Sequence, residues 1–180
     1  VLKLADFGLS FVKDDDDNSG GSGTRGYMAP EQMILRLKKR AEREGLSEDA
    51  LADLKLIYGG SSEVTTACDI WAFGLIVAQM IGEGADTAVL EYIQASRRDD
   101  LHKAAIEAGS AVARLFALVA DEVEKMDESK EKNALLGVAE MLKRCLAVDA
   151  SKRPSAKECE EMLQAAYKEL KGEKFKRIPA

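Results

Sequence analysis

The sequence is poor in the residues that build disulfide frameworks, zinc sites and histidine-based catalytic centres. It contains three cysteines, Cys68, Cys145 and Cys159, and one histidine, His102, among 180 residues. Cysteines in an odd number and at wide spacing fit neither a disulfide framework nor a zinc site. His102 has no nucleophile or metal ligand near it in the sequence, so it is not a candidate catalytic residue. A reducing, intracellular setting is therefore expected, and we expect the cytoplasm.

The sequence also lacks a long apolar run and a dense basic cluster. Its longest apolar run, from Ile70 to Ile81, is interrupted by Gln79 and is shorter than the roughly 20 residues of a membrane span. No basic-then-apolar segment opens the chain, and we expect no membrane segment in it. The 26 basic and 32 acidic residues give a net charge of -6, so nucleic acid is not an expected partner. An apolar content of 46% is sufficient for one sizeable core.

The hydrophobic pattern indicates a mainly α protein with one short strand at its start. Alternation over residues 1–5 predicts that strand, and the acidic, Gly- and Ser-rich residues 11–26 predict a loop. Ser155 and Glu158 form a capping-box pattern that opens the last helix, which ends before Gly172. The other predicted helices are two short amphipathic ones within residues 32–58, then 66–81 (closed by Gly82 and Gly84), 87–96, 101–108, 111–126 and 130–146.

Four short motifs occur in an order that is informative as a set. They are Asp6-Phe7-Gly8, Ala29-Pro30-Glu31, the run Asp69-Ile70-Trp71-Ala72-Phe73-Gly74, and Arg153-Pro154. A strand pattern precedes the first motif, and residues 23–31 close the polar loop that follows it. This set resembles the C-terminal lobe of a eukaryotic serine/threonine protein kinase domain, from the Asp-Phe-Gly strand onward. The resemblance implies a mostly helical lobe fragment.

The resemblance implies chemistry at Asp6, Phe7 and Gly8. Phosphoryl transfer from ATP needs Mg²⁺ held between the phosphate oxygens, and a hard cation favours a carboxylate ligand. By resemblance Asp6 is that metal ligand, Phe7 is an apolar plug that distinguishes active from inactive arrangements, and Gly8 permits the backbone turn. The alternative, without a catalytic role, is that Asp6 is a solvated carboxylate in a turn.

Residues near the end of the loop are implied to meet the protein substrate. Thr24 stands where the family places a hydroxyl close to the catalytic aspartate and lysine, and a threonine there resembles serine/threonine kinases. Gly26, Tyr27 and Met28 would line the pocket for the residue after the phosphorylated one. The alternative for Thr24 is a turn hydroxyl bonded to its own backbone.

Other matching residues are implied to be structural. By family pattern Glu31 and Arg153 form a buried ion pair that ties the segment to the last helices, and loss of either partner would strand a charge. Asp69 would begin the central helix and accept hydrogen bonds from the backbone of the catalytic loop. Trp71 would pack nearby.

The sequence also departs from the family pattern. The Gly-rich phosphate loop, the strand lysine with its glutamate partner, and the His-Arg-Asp loop with its asparagine do not occur in these 180 residues. We therefore expect a parent protein that transfers the γ-phosphate of ATP to serine and threonine hydroxyls of proteins, and a chain that is inactive by itself. A non-catalytic, pseudokinase-like interaction module is the alternative.

The expected organisation is a partial kinase domain over residues 1–172 and a tail over 173–180. Within the domain we distinguish the activation segment at 6–31, a helical insert at about 32–60 and a helical core at 66–172. The insert is either a solvated hairpin or a docking surface for a partner or an upstream kinase. The acidic run 14–17 is either a solvated loop or standing charge in place of a phosphate. Candidate phosphosites are Ser10, Ser19, Ser22 and Thr24.

Overall fold

The computed structural model describes residues 26–44, 64–81, 83–96 and 101–172. Six α-helices lie in these ranges: Pro30–Glu44 (α1), Ala67–Gln79 (α2), Glu83–Ser96 (α3), Leu101–Glu124 (α4), Lys130–Cys145 (α5) and Ala156–Lys171 (α6). A 3-10 turn, Ala150–Lys152, joins α5 to α6. The described part of the chain has no strand, and the mainly α fold class is confirmed. The predicted strand at residues 1–5 and the second insert helix lie outside it.

Helix α2 lies at the centre of the fold, between two groups of buried side chains. Trp71 and Leu75 belong to the larger group, which includes side chains of α3 and α4 such as Tyr92 and Leu115. Ile70 belongs to the smaller group with Met141 of α5 and the two later cysteines. A helix that is apolar on most sides buries side chains in more than one direction, which is why this one takes the central place.

The remaining helices pair along their lengths, α3 with α4 and α5 with α6. Their ends follow the predicted local chemistry. Ser155 and Glu158 form the predicted capping box, each side chain receiving the backbone N–H of the other residue. Gly172 ends α6 with φ at +69°, a left-handed conformation that glycine adopts without a side-chain penalty.

Two predicted boundaries are wrong, and glycine is the reason in both cases. Residues 101–108 and 111–126 were expected to be separate helices, but α4 runs without a break through Gly109. Likewise Gly84 was expected to close the central helix, yet α2 ends at Gln79 and Gly84 lies inside α3. A glycine costs a helix only about 1 kcal/mol, which the burial of neighbouring apolar side chains outweighs. None of the helices that the structure describes is long and apolar enough to cross a bilayer.

Candidate functional site

The segment Gly26–Ala29 is fixed by contacts with the helical core. The hydroxyl of Tyr92 in α3 donates a 2.6 Å hydrogen bond to the carbonyl oxygen of Met28. Met28 and Ala29 are buried. A short, buried hydrogen bond to a backbone carbonyl holds the main chain of the segment directly at Met28.

A second contact runs through the side chain of Tyr27. Its hydroxyl donates to Oε1 of Gln79 at 3.2 Å, and Nε2 of Gln79 donates to Oδ1 of Asp86 at 3.0 Å. Gln79 is the last residue of α2 and Asp86 lies in the first turn of α3. The polar chain therefore links the segment to the junction of the two helices, and the amide orientation is fixed by a partner on each side.

Gly26 lies in a position with no room for a side chain. A Cβ atom there would come within 2.6 Å of Cγ2 and 2.9 Å of Cγ1 of Ile93. These are atoms of the branch point of a β-branched side chain, which has little rotamer freedom in a helix. The segment thus packs backbone to side chain against α3.

Helix α1 begins directly after the segment for reasons that are visible in the sequence. Pro30 occupies the first helical position, where a missing N–H costs nothing. The backbone N–H of Ala29 donates to Oε1 of Gln32 at 3.0 Å, which is one half of a capping box. The helix start fixes the direction in which Glu31, in its first turn, points.

Glu31 and Arg153 meet in a buried, two-pronged ion pair. Nη1 of Arg153 lies 2.6 Å from Oε1 of Glu31, and Nη2 lies 2.8 Å from Oε2. The side chains are 2% and 0% exposed for Glu31 and Arg153, respectively. The remaining three N–H donors of the guanidinium are also used. They bond to the carbonyl oxygens of Ala147 at 2.8 Å, Ala67 at 3.0 Å and Val148 at 3.3 Å.

Because all five guanidinium donors have acceptors, the arginine joins three parts of the chain at one point. It contacts the start of α1, the start of α2 and the connection between α5 and α6. Because the hydrogen-bonding groups of this pair have partners, their interactions offset the free-energy cost of removing two charges from water. One buried charge left without its counter-ion would not be offset in this way. The arrangement is therefore an anchor for the segment that precedes Glu31.

Two side chains of α2 complete the surroundings of the anchor. The guanidinium carbon of Arg153 lies 5.0 Å from the centre of the Trp71 ring, a cation–π distance. The thiol of Cys68 donates to Oε1 of Glu31 at 3.1 Å. Burial, and next the hydrogen bond to Glu31, raise the pKa of Cys68 to about 12, so this cysteine stays a thiol and a donor.

Asp69 lies apart from this anchor, on the opposite side of α2. It is exposed and lines a groove of about 600 Å³ between α2 and α6. The walls of the groove include Ile70, Phe73, Leu163 and Tyr167. Trp71 contacts the anchor through Arg153, and Asp69 lines the groove.

The remaining predicted site residues lie outside the described residues. They are Asp6, Phe7, Gly8, Ser10, Ser19, Ser22 and Thr24. Within the described ranges no group of three or more His, Cys, Asp and Glu side chains has the geometry of a metal site. The place of Asp6 as a ligand for Mg²⁺, and of Thr24 beside the substrate, stays a prediction.

Sequence reasoning missed the side chains that hold the segment from α3. Tyr92 and Ile93 read as ordinary members of a buried helix face, and nothing in a single sequence distinguishes a core tyrosine from one whose hydroxyl binds a backbone carbonyl. The only available signal was that a buried tyrosine needs a hydrogen-bond partner for its hydroxyl.

Comparison with models of known protein families gives a match that covers most of the chain. The family model of the protein kinase domain matches residues 1–167. No curated protein and no solved structure matches the chain.

Proposed function

Because the chain belongs to the protein kinase domain family, we propose that it is the activation segment and C-terminal lobe of a serine/threonine protein kinase. The parent protein would transfer the γ-phosphate of ATP to serine and threonine hydroxyls of protein substrates, in the cytoplasm. The observation that carries this proposal is the anchored segment. Its backbone is held at Met28 by Tyr92, and it ends in the Glu31–Arg153 pair.

A kinase has to hold its acceptor peptide still, since much of the catalytic power in phosphoryl transfer comes from positioning and electrostatic stabilisation. The segment Gly26–Met28 offers a fixed backbone for that purpose. Its polar link through Tyr27 and its close contact with Ile93 restrict movement in two further directions. We propose that these three residues receive the substrate residue after the phosphorylated one, with Thr24 beside the acceptor hydroxyl.

Asp6 is the proposed ligand for Mg²⁺, whose bound charge would neutralise the phosphate oxygens during transfer. The exposed carboxylate of Asp69 is the proposed acceptor for backbone N–H groups of a catalytic loop. A His-Arg-Asp sequence, which would supply the base for the acceptor hydroxyl, does not occur among the 180 residues. The chain alone is therefore proposed to be inactive.

The test is a phosphoryl-transfer assay with radiolabelled ATP and Mg²⁺. It compares the chain alone with the chain joined to a first half of a kinase domain that carries the phosphate loop, the strand lysine and the His-Arg-Asp loop. Two peptide pools serve as acceptors. The first carries serine and threonine as the acceptor residues, and the second carries tyrosine at the same positions.

We expect transfer by the joined protein to the serine and threonine pool, and none by the chain alone. Transfer to tyrosine alone would overturn the proposed specificity. A joined protein that folds but transfers nothing would favour a pseudokinase-like interaction module instead.

A further inference from the structure

Two of the three cysteines lie against each other in the core. Sγ of Cys145 and Sγ of Cys159 are 3.7 Å apart, and both side chains are buried. Cys145 is the last residue of α5, and Cys159 lies in the first turn of α6. The short connection between the helices, residues 146–155, folds back and brings these two helix ends together.

The two thiols differ in their access to small molecules. Cys159 is part of the wall of the groove between α2 and α6, beside Ile70 and Leu163. Cys145 is 0% exposed and does not line that groove. It is also held in place, because Gly74 of α2 approaches it so closely that a Cβ at Gly74 would lie 2.9 Å from Cβ of Cys145. A small solute that enters the groove reaches Cys159 first.

We propose that Cys145 and Cys159 form a reversible intramolecular disulfide when the protein meets hydrogen peroxide. In the first step the sulfur of Cys159 attacks one peroxide oxygen, the O–O bond breaks, and one water leaves as Cys159 becomes a sulfenic acid. In the second step the sulfur of Cys145 attacks the sulfur of that sulfenic acid, and the second water leaves. Two thiols are oxidised by two electrons in total and one peroxide is reduced to two waters.

The separation of the sulfur atoms suits the second step. A disulfide bond is about 2.0 Å long, so the sulfurs have to approach by less than 2 Å. Because Gly74 fixes Cys145 from one side, rotation of Cys159 towards it supplies that movement. The new bond would span the connection that carries Arg153, the partner of Glu31.

The reaction is expected to be slow and to accelerate with rising pH. Burial, and next the neighbouring Cys159, raise the pKa of Cys145 to about 12, and the thiolate is the attacking form. Cys68 provides a matched control, since burial raises its pKa to about 12 as well. Its thiol donates a hydrogen bond to the carboxylate of Glu31 rather than contacting a second thiol. Acidity therefore does not distinguish Cys68 from Cys145, whereas the presence of a second thiol does.

The test treats the folded 180-residue chain with hydrogen peroxide, alkylates the remaining thiols and maps the peptides by mass spectrometry. We expect a cross-linked peptide pair that contains Cys145 and Cys159, reversible by dithiothreitol, with Cys68 still open to alkylation after denaturation. Oxidation of Cys68 at the same rate, conversion of Cys159 to sulfinic acid without a cross-link, or no oxidation of the folded chain would each overturn the proposal.

Two variants sharpen the result. Cys68→Ala should cross-link like the unaltered chain, and Cys145→Ala should leave Cys159 as a sulfenic acid that dimedone traps. In the reciprocal variant Cys159→Ala, dimedone should not label Cys145, and labelling of Cys145 there with none of Cys159 in Cys145→Ala would contradict the assigned order. If Cys145→Ala does not fold, peptide mapping of the unaltered chain still decides whether the bond forms. The proposal does not depend on kinase activity.

Discussion

At the scale of single residues, the ion pair between Glu31 and Arg153 is the main anchor of the segment that precedes Glu31. All five guanidinium donors of Arg153 are used, and its side chain is not exposed to solvent. The positive charge is therefore neutralised only as long as Glu31 is charged and in place. The pair was predicted from the resemblance to the family. The sequence offered no way to predict the three carbonyl acceptors, because they come from parts of the chain that meet only in the folded protein.

We predict that Glu31→Ala lowers the free energy of unfolding by about 3 to 5 kcal/mol, because it leaves a buried arginine without its counter-ion. Urea denaturation measures the change. The matched control is Glu91→Ala, which removes an ion pair with Arg114 of the same 2.6 Å length but with both side chains well exposed. Its cost should stay below about 1 kcal/mol. Equal costs for the two variants would refute the anchor.

Gly26 gives a second prediction at this scale. Gly26→Ala should destabilise the protein, since the added methyl group overlaps Cγ2 of Ile93 at 2.6 Å. The double variant Gly26→Ala with Ile93→Ala removes the overlapping atoms, so the two substitutions together should cost less than the sum of each alone. A double-mutant cycle in urea measures this coupling. Additive costs would show that the segment does not pack on Ile93.

At the scale of helices, hydrophobic periodicity correctly predicted helical structure over the described residues, and glycine misled two of the helix boundaries. Gly109 is exposed and nothing lies within 4 Å of a Cβ placed on it, so it costs α4 only its poor helix propensity. On the buried side of α4, Val112, Leu115 and Val119 join the core directly after the predicted break. Tertiary packing therefore outweighed the local signal, and a single sequence does not reveal that packing.

Two glycines in helices should respond to alanine in opposite ways. Gly109→Ala is expected to stabilise the protein by about 1 kcal/mol through helix propensity alone. Gly74→Ala should destabilise it by about 1 to 3 kcal/mol, because the new Cβ would lie 2.9 Å from Cβ of Cys145 and 3.1 Å from Leu146. Thermal and urea unfolding measure both. A stabilising Gly74→Ala would contradict the close packing of α2 on α5.

At the scale of the whole molecule, the path of the folded chain explains why the contact between Cys145 and Cys159 was not predicted from the sequence. Counting cysteines and their spacing excluded a disulfide framework, and spacing alone does not show that two helix ends fold back on each other. The signal that was present is the combination of a predicted helix end near residue 146 and a capping box at Ser155, which together predict a short turn between two helices. Cysteines that flank such a turn are candidates for contact.

The central helix keeps apolar side chains exposed on one surface. Ile76 and Met80 of α2 are 50% and 76% exposed, although the helix is apolar on most sides. This surface is where we expect the rest of a kinase domain to pack, since an all-round apolar helix is typical of a buried position.

The proposed kinase function is tested most directly by phosphoryl transfer with the chain joined to a first half of a kinase domain. The assay compares Asp6→Asn with the unaltered protein over a range of Mg²⁺ concentrations. The matched control is Asp121→Asn, which changes an exposed carboxylate on α4 that pairs with Lys125. We predict that Asp6→Asn abolishes transfer and that Asp121→Asn leaves it unchanged. Undiminished transfer by the Asp6→Asn variant, or transfer by the 180-residue chain alone, would contradict it.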